Sequence, residues 1–505
     1  MKKIIFLAAT LMLTVSVFGQ KSELSVQYGN SITNEGLFDH LSILASDALE
    51  GRETGERGQV MAAALISNHF QALNLNPIVD IEGTKSYYQD VPLYSIFPGN
   101  TYLKIKKNTE NNFGNVVYYG NSSINEEQSL PVIFAGRGTE SDFENLDVKG
   151  KAVLIMVEGT RAWRAPRKMA MEQGAKLVLI SSSPTDEEYE DYAGRFKRYL
   201  SGGLITLDKP ENDMEYLGLF LVAPSIASEI FNKSYEKLNQ TIKQKEAGNP
   251  DALKKVKNGK ITFNINQVVT DFSSANVLGF MEGSDLKDEL VVISAHYDHI
   301  GKRDSLINNG ADDNGSGTSA IMEIAEAFSI AKKDGNGPRR SILFVAFTGE
   351  EKGLLGSEYY SKFPVIPLSQ TIVDLNIDMI GRVDPKYKNA EDYVFLVGSD
   401  KLSTELHELS ENINSTYSKL NLDYTYNDIN HPERIYYRSD HWNFAKNNIP
   451  VIFYTDGEHE DYHKPTDTVD KINFNILRKR TQLVFHTAWE LTNRDKRPVV
   501  DKTTD

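Results

Sequence analysis

Leu290-Val291-Val292-Ile293-Ser294-Ala295 runs without a charge into His296-Tyr297-Asp298. Short uncharged runs rich in β-branched residues are the mark of strands buried on both faces, as in parallel sheets covered by helices. The same texture recurs from Asn276 onward. Ser341–Phe347 runs into Thr348-Gly349-Glu350-Glu351, Thr371–Ile377 ends at Asp378, and Pro450–Tyr454 leads through an acidic loop to Tyr462-His463. Between these runs, Thr318–Phe328 places Ile321, Ile324, Ala325 and Phe328 on one helical face. A closing helix spans about 475–491, with Leu477, Val484, Ala488 and Leu491 facing inward. Alternating strands and helices predict an α/β fold with a mixed, mostly parallel central sheet flanked by helices.

Open α/β sheets bind ligands beyond the carboxyl ends of their strands. One sheet edge therefore gathers two histidines and several carboxylates, with no Lys or Arg among the named groups. Such a set repels itself unless a cation lies within it. Imidazole and carboxylate donors suit zinc and, less specifically, manganese, cobalt or iron. Five ligands exceed one open tetrahedral zinc site and suit two ions, about 3.5–4 Å apart, sharing a carboxylate. Asp313 is the natural bridge, in the turn Gly310-Ala311-Asp312-Asp313-Asn314-Gly315-Ser316-Gly317 that leads into the Thr318 helix.

Composition narrows the alternatives. The 505 residues carry 55 Lys+Arg against 70 Asp+Glu, a net charge of −15. The basic stretches Lys254-Lys255-Val256-Lys257 and Arg478-Lys479-Arg480 are short and read as solvated faces, so no nucleic-acid partner is expected. Cysteine is absent, which excludes thiol nucleophiles, disulfides and Cys-ligated metals. Lys2-Lys3 and the apolar run Ile4–Phe18 read as a secretory signal ending near Gln20. The expectation is an exported protein, periplasmic or extracellular, with no integral membrane segment after cleavage.

The rest of the chain divides by texture. Residues 21–95 carry an amphipathic helix pair between Asn34 and Leu75, interrupted by Glu50-Gly51-Arg52-Glu53-Thr54-Gly55, to which no chemistry is assigned. Residues 96–270 form a β-rich block without histidine; 271–497 hold the polar constellation, and 498–505 a polar tail. His299, His431 and His459 have no evident partner and read as loop histidines, with His459 placed where it could shape the pocket.

Taken together, His296-Tyr297-Asp298, Asp313-Asn314-Gly315-Ser316-Gly317, Gly349-Glu350-Glu351, Asn376–Gly381, Ser439-Asp440-His441 and Tyr462–Thr468 resemble the secreted co-catalytic di-zinc aminopeptidases, which are similar to glutamate carboxypeptidases. The middle block resembles an inserted protease-associated domain, through Asp147–Lys151 and Gly174-Ala175. The resemblance implies a zinc exopeptidase fold acting on peptides with a free N-terminus. It implies that His296 and Asp378 hold one Zn2+, Glu351 and His463 the other, and Asp313 both, with Mn2+ or Co2+ as substitutes. Glu350 would be the general base, Asp298 would accept a hydrogen bond from the free ring nitrogen of His296, and Tyr462 would donate to the oxyanion. A carboxypeptidase or other amidohydrolase on the same scaffold would need a cation for the substrate carboxylate, for which Arg434 and Arg438 are candidates. A receptor-like binding protein with a degenerate peptidase domain would have lost ligands, whereas each ligand position here is filled.

Overall fold

A computed structural model describes residues 22–503 apart from 125, 160–161, 201, 211–214 and 429. The segment read as a signal peptide lies outside the described residues. The chain forms two compact units, one comprising the residues up to Val91 together with those from Ser273, the other Pro92–Phe272.

In the first unit, four strands form the parallel centre of the sheet, in the order Arg340–Phe347, Leu286–His296, Thr371–Ile377, Val451–Thr455. Residues 277–281 add antiparallel at one side, Tyr393–Val397 at the other, and Asn421–Asp423 beyond it. This is the mixed, mostly parallel α/β sheet that the sequence predicts. Alternation of side chains explains the uninterrupted apolar runs. Val291, Ile293 and Ala295 enter one core with Ile321, Phe328 and Leu477, while Leu290 and Val292 enter another with Tyr360 and Phe444.

The first of the parallel strands in chain order, Leu286–His296, has its successors on opposite sides. Crossovers leaving in opposite directions open a crevice at the carboxyl end of that strand, and His296 is its last residue. Helices Asn34–Leu44, Arg57–Ala72, Gly317–Lys333 and Phe474–Asn493 contribute to the larger core. No described helix is long and apolar enough to cross a membrane.

The second unit holds an eight-stranded sheet with its own core. Gln128–Phe134, Ala152–Met156, Leu177–Ser181 and Leu219–Val222 run parallel at its centre. The unit contains more helix than its β-type runs suggest, including Asp186–Leu200, Pro224–Phe231 and Tyr235–Glu246. Two of these segments are dominated by charged and polar residues, so they lack the apolar runs that draw attention in a sequence.

One surface assignment needs correction. Arg480, read as part of a solvated basic face, is fully buried. Its guanidinium donates to the carbonyls of Tyr393, Ile380 and Arg382 and pairs with Asp456. A planar fork of donors can be satisfied by backbone oxygens, which leave no signature in the sequence.

Candidate metal centre

The sheet edge places the expected side chains together. His296 Nε2 lies 3.2 Å from Asp378 Oδ1, 3.4 Å from Asp313 Oδ1 and 4.0 Å from Glu350 Oε2. His463 Nε2 lies 3.0 Å from Asp313 Oδ2 and 3.2 Å from Glu351 Oε2. Asp313 thus faces both imidazoles, one through each oxygen. Asp312 points elsewhere: its Oδ1 accepts the Gly381 N–H, and its Oδ2 faces His459. His459 Nδ1 accepts the Asp461 N–H, which leaves the Nε2 proton for Asp312.

Each member is held from behind. His296 Nδ1 donates to the backbone carbonyl of Asp298 at 3.1 Å, while the Asp298 carboxylate stands 3.8 Å away. The tautomer with a lone pair on Nε2 is therefore fixed by a main-chain oxygen, not by the carboxylate that the family resemblance implies. The Asp298 carboxylate instead accepts from Thr54 Oγ1 at 2.7 Å and the Glu350 N–H at 3.2 Å. It holds the turn bearing the paired glutamates.

Asp378 Oδ2 accepts from Ser439 Oγ at 2.7 Å, and Ser439 in turn accepts from Asn376 Nδ2 at 2.8 Å. That relay gives Ser439 a structural reason. His441 of the same tripeptide is buried and directed at the Tyr436 carbonyl.

Two contributors escaped the sequence reading. His299 is not a loop histidine without a partner. It is fully buried, with Nδ1 2.7 Å from Glu351 Oε1 and 3.8 Å from Asp313 Oδ2. The only hint in the sequence was its place three residues after His296. Arg52, in the break between the first helices, is 1% exposed and lies beneath the centre. It donates to the carbonyls of Leu44, Tyr297, Asn309 and Gly310. The carboxylates of Asp313, Asp467, Asp298 and Glu351 act on it electrostatically, so the centre has a buried arginine after all.

The electrostatics show what the cluster demands. Burial, together with Asp378 and Glu351, holds the Glu350 carboxyl well above the usual carboxylate range. Burial would also raise Glu351, but hydrogen bonds from His299 and His463 outweigh it and hold that carboxyl well below. Burial opposes a charged His463, yet its bonds to Asp313 and Glu351 push it up to about 11. A buried, acidic set that draws protons onto its imidazoles is a set that lacks positive charge. His296, Glu350 and Asp378 bring donor atoms within 4.8 Å of one another, and so do His299, Asp313 and Glu351. Among the described residues, the buried His299 Nε2 has no hydrogen-bond partner. These nitrogen and oxygen donors fit divalent zinc.

Residues 276–488 match the sequence pattern described as Peptidase family M28. This region belongs to peptidase family M28. The M28 region lies in a chain 28% identical to aminopeptidase YwaD of Bacillus subtilis over 387 residues, 75% of this chain and 70% of that one. It is 26% identical to a probable glutamate carboxypeptidase of Arabidopsis thaliana, spanning about half of that relative's length (47%). An aminopeptidase from Aneurinibacillus sp. strain AM-1 shares its fold, with a TM-score of 0.59 at 19% identity, covering 95% of this chain and 98% of that one. A zinc aminopeptidase from Bacillus subtilis does so with a TM-score of 0.51 at 21% identity, covering 94% and 98%. Residues 276–488 of the chain are thus a peptidase domain.

Next to the centre lies a partly open pocket. Asp313, Glu350 and Asp378 line its acidic end, and Met379, Tyr426, Ile435 and Phe453 line its apolar side. Tyr462 stacks on His463, with ring centroids 3.9 Å apart, and its hydroxyl accepts from Arg438 at 3.4 Å.

Proposed function

We propose that the protein is a di-zinc aminopeptidase acting outside the cytoplasm on peptides with a free N-terminus. The observation that carries this reading is the placement of Asp313 between His296 and His463, with Glu350 and Glu351 on one turn beside it. His296 and Asp378 would hold one zinc, Glu351 and His463 the other, and Asp313 both. When bound, the pair supplies a water ionised near neutral pH and an electrophile for the scissile carbonyl.

The chain's own groups do the rest. Glu350 accepts the proton of the attacking water and returns it to the leaving amine, a role suited to a buried carboxyl whose proton affinity is raised. Tyr462 stands at the pocket wall with its hydroxyl available to the developing oxyanion. The acidic end of the pocket suits an α-ammonium, and the wall of Met379, Ile435 and Phe453 suits an apolar first side chain.

A carboxypeptidase needs a cation free for the substrate carboxylate. Arg438 lines the pocket but is engaged by Glu458 at 3.1 Å and Glu433 at 3.8 Å, and Arg434 stacks on Tyr437. Both arrangements favour N-terminal trimming. The test is a panel of free and N-acetylated peptides with chelator controls. Release of N-terminal residues from free peptides alone is expected; trimming of acetylated peptides from the other end would replace this reading with a carboxypeptidase.

A further inference from the structure

Away from the sheet edge, three helices of the first unit bring together a second set of metal-binding side chains. His40 lies on Asn34–Leu44, His69 on the last turn of Arg57–Ala72, and Glu323 and Glu326 on Gly317–Lys333. The two imidazole rings meet edge to face, with centroids 4.6 Å apart. His40 Nε2 lies 3.5 Å from Glu323 Oε1. Donor atoms of His40, His69 and Glu326 all lie within 4.8 Å of one another.

We infer that this cluster is a second, non-catalytic site for a divalent cation of the zinc type, tying the three helices together. Zinc binds imidazole at about 2.0–2.1 Å and carboxylate at about 2.0–2.2 Å. Ligand atoms of a tetrahedral site at those bond lengths are about 3.4 Å apart, by geometry from the same lengths. The His40–Glu323 separation is already that of one tetrahedral edge, and the others need only side-chain adjustment.

Charge supports the reading. Two glutamates three apart share a helix face and repel each other. Among the described residues, no Lys or Arg forms an ion pair with either, and the ionic partner of Glu323 is His40. The imidazoles are also prepared. His69 Nε2 donates to the Met322 carbonyl at 3.2 Å, leaving the lone pair of a neutral ring on Nδ1. The backbone makes room as well. A Cβ at Gly36 would sit 2.2 Å from Glu323 Oε1, so only glycine lets that carboxylate lie against the first helix, where it also accepts the Thr33 N–H.

The experiment compares the full chain with His69→Gln and Glu326→Gln. Each protein is stripped with chelator, titrated with Zn2+ alone, and counted by native mass spectrometry, with thermal unfolding followed in parallel. Each variant is expected to hold one tightly bound Zn2+ fewer than the parent and to lose the part of the Zn2+-dependent rise in Tm due to that ion. Turnover per chain at saturating Zn2+ stays unchanged. Glu326 is only partly buried, so Glu326→Gln covers the case in which His69→Gln misfolds. Equal zinc counts and equal Tm rises in parent and Glu326→Gln overturn the site. Because the readout is a difference between parent and variant, it stands whether or not the sheet-edge centre holds two ions.

Discussion

Glu351 is gripped from both sides: His299 Nδ1 lies 2.7 Å from its Oε1, and His463 Nε2 lies 3.2 Å from its Oε2. The carboxylate proposed as a zinc ligand is thereby oriented by a histidine outside the proposed ligand set. Groups that orient metal ligands typically contribute about 10–100-fold in metal affinity. His299→Ala is expected to weaken zinc retention at the Glu351–His463 position by that order, measured by competition with a chromophoric chelator. Retention equal to the parent would leave His299 a packing residue.

Glu350→Gln tests the base separately from the metal. An amide keeps the size of the side chain and cannot take the proton. Zinc content is expected to stay at the parent level while kcat falls by at least the ~10²–10⁴-fold attributed to general acid–base catalysis. Elemental analysis and steady-state kinetics on one preparation give both numbers, and a kcat within a few-fold of the parent would remove Glu350 from the mechanism.

Much of the sheet-edge centre was legible in the sequence because it is built from strand ends. Leu290–Ala295, Ser341–Phe347 and Pro450–Tyr454 fall within a residue or a few of the observed strands, and Thr371–Ile377 coincides with one. A strand buried on both faces must be apolar throughout, so the first polar residue after it marks the edge. The supports were hidden for a physical reason. Arg52 and Arg480 donate chiefly to carbonyls, the His296 tautomer is set by the Asp298 carbonyl, and every residue has a carbonyl. His299 needed the turn after His296 to be known before its ring could be aimed at Glu351.

Acid sensitivity follows from His441. Its ring is fully buried, its Nε2 donates to the Tyr436 carbonyl, and burial pulls it from 6.5 down to about 3. Below pH ~6.5 the unfolded chain binds a proton at this ring that the folded chain refuses. The stability this neutral ring permits is therefore full above pH 6.5 and lost progressively as the pH falls toward 3. At about 1.36 kcal/mol per pH unit, the span corresponds to at most about 5 kcal/mol. Urea unfolding at pH 7, 5.5 and 4 should show a steeper loss for the parent than for His441→Gln. Parallel losses would show that other groups control the acid limb.

Arg52→Met asks whether the buried cation beneath the centre matters beyond its packing. The guanidinium donates to Tyr297 and Asn309, on either side of the loop between His296 and Asp313, and to Gly310 beside the latter. Its loss removes a donor from the Tyr297 and Asn309 carbonyls, while Gly310 keeps the Gly315 N–H, and it leaves the nearby carboxylates without a buried positive charge. Removing one partner of a buried charged network costs about 3–5 kcal/mol, so a large fall in urea-unfolding stability is expected. Arg52→Lys should recover little, because an ammonium cannot span the same carbonyls as a planar fork. The informative arm adds zinc. If Arg52 sets the spacing of His296 and Asp313, saturating Zn2+ should restore part of the stability of Arg52→Met, since the ions would draw the same residues together. A deficit unchanged by zinc would confine Arg52 to the packing of the first helices.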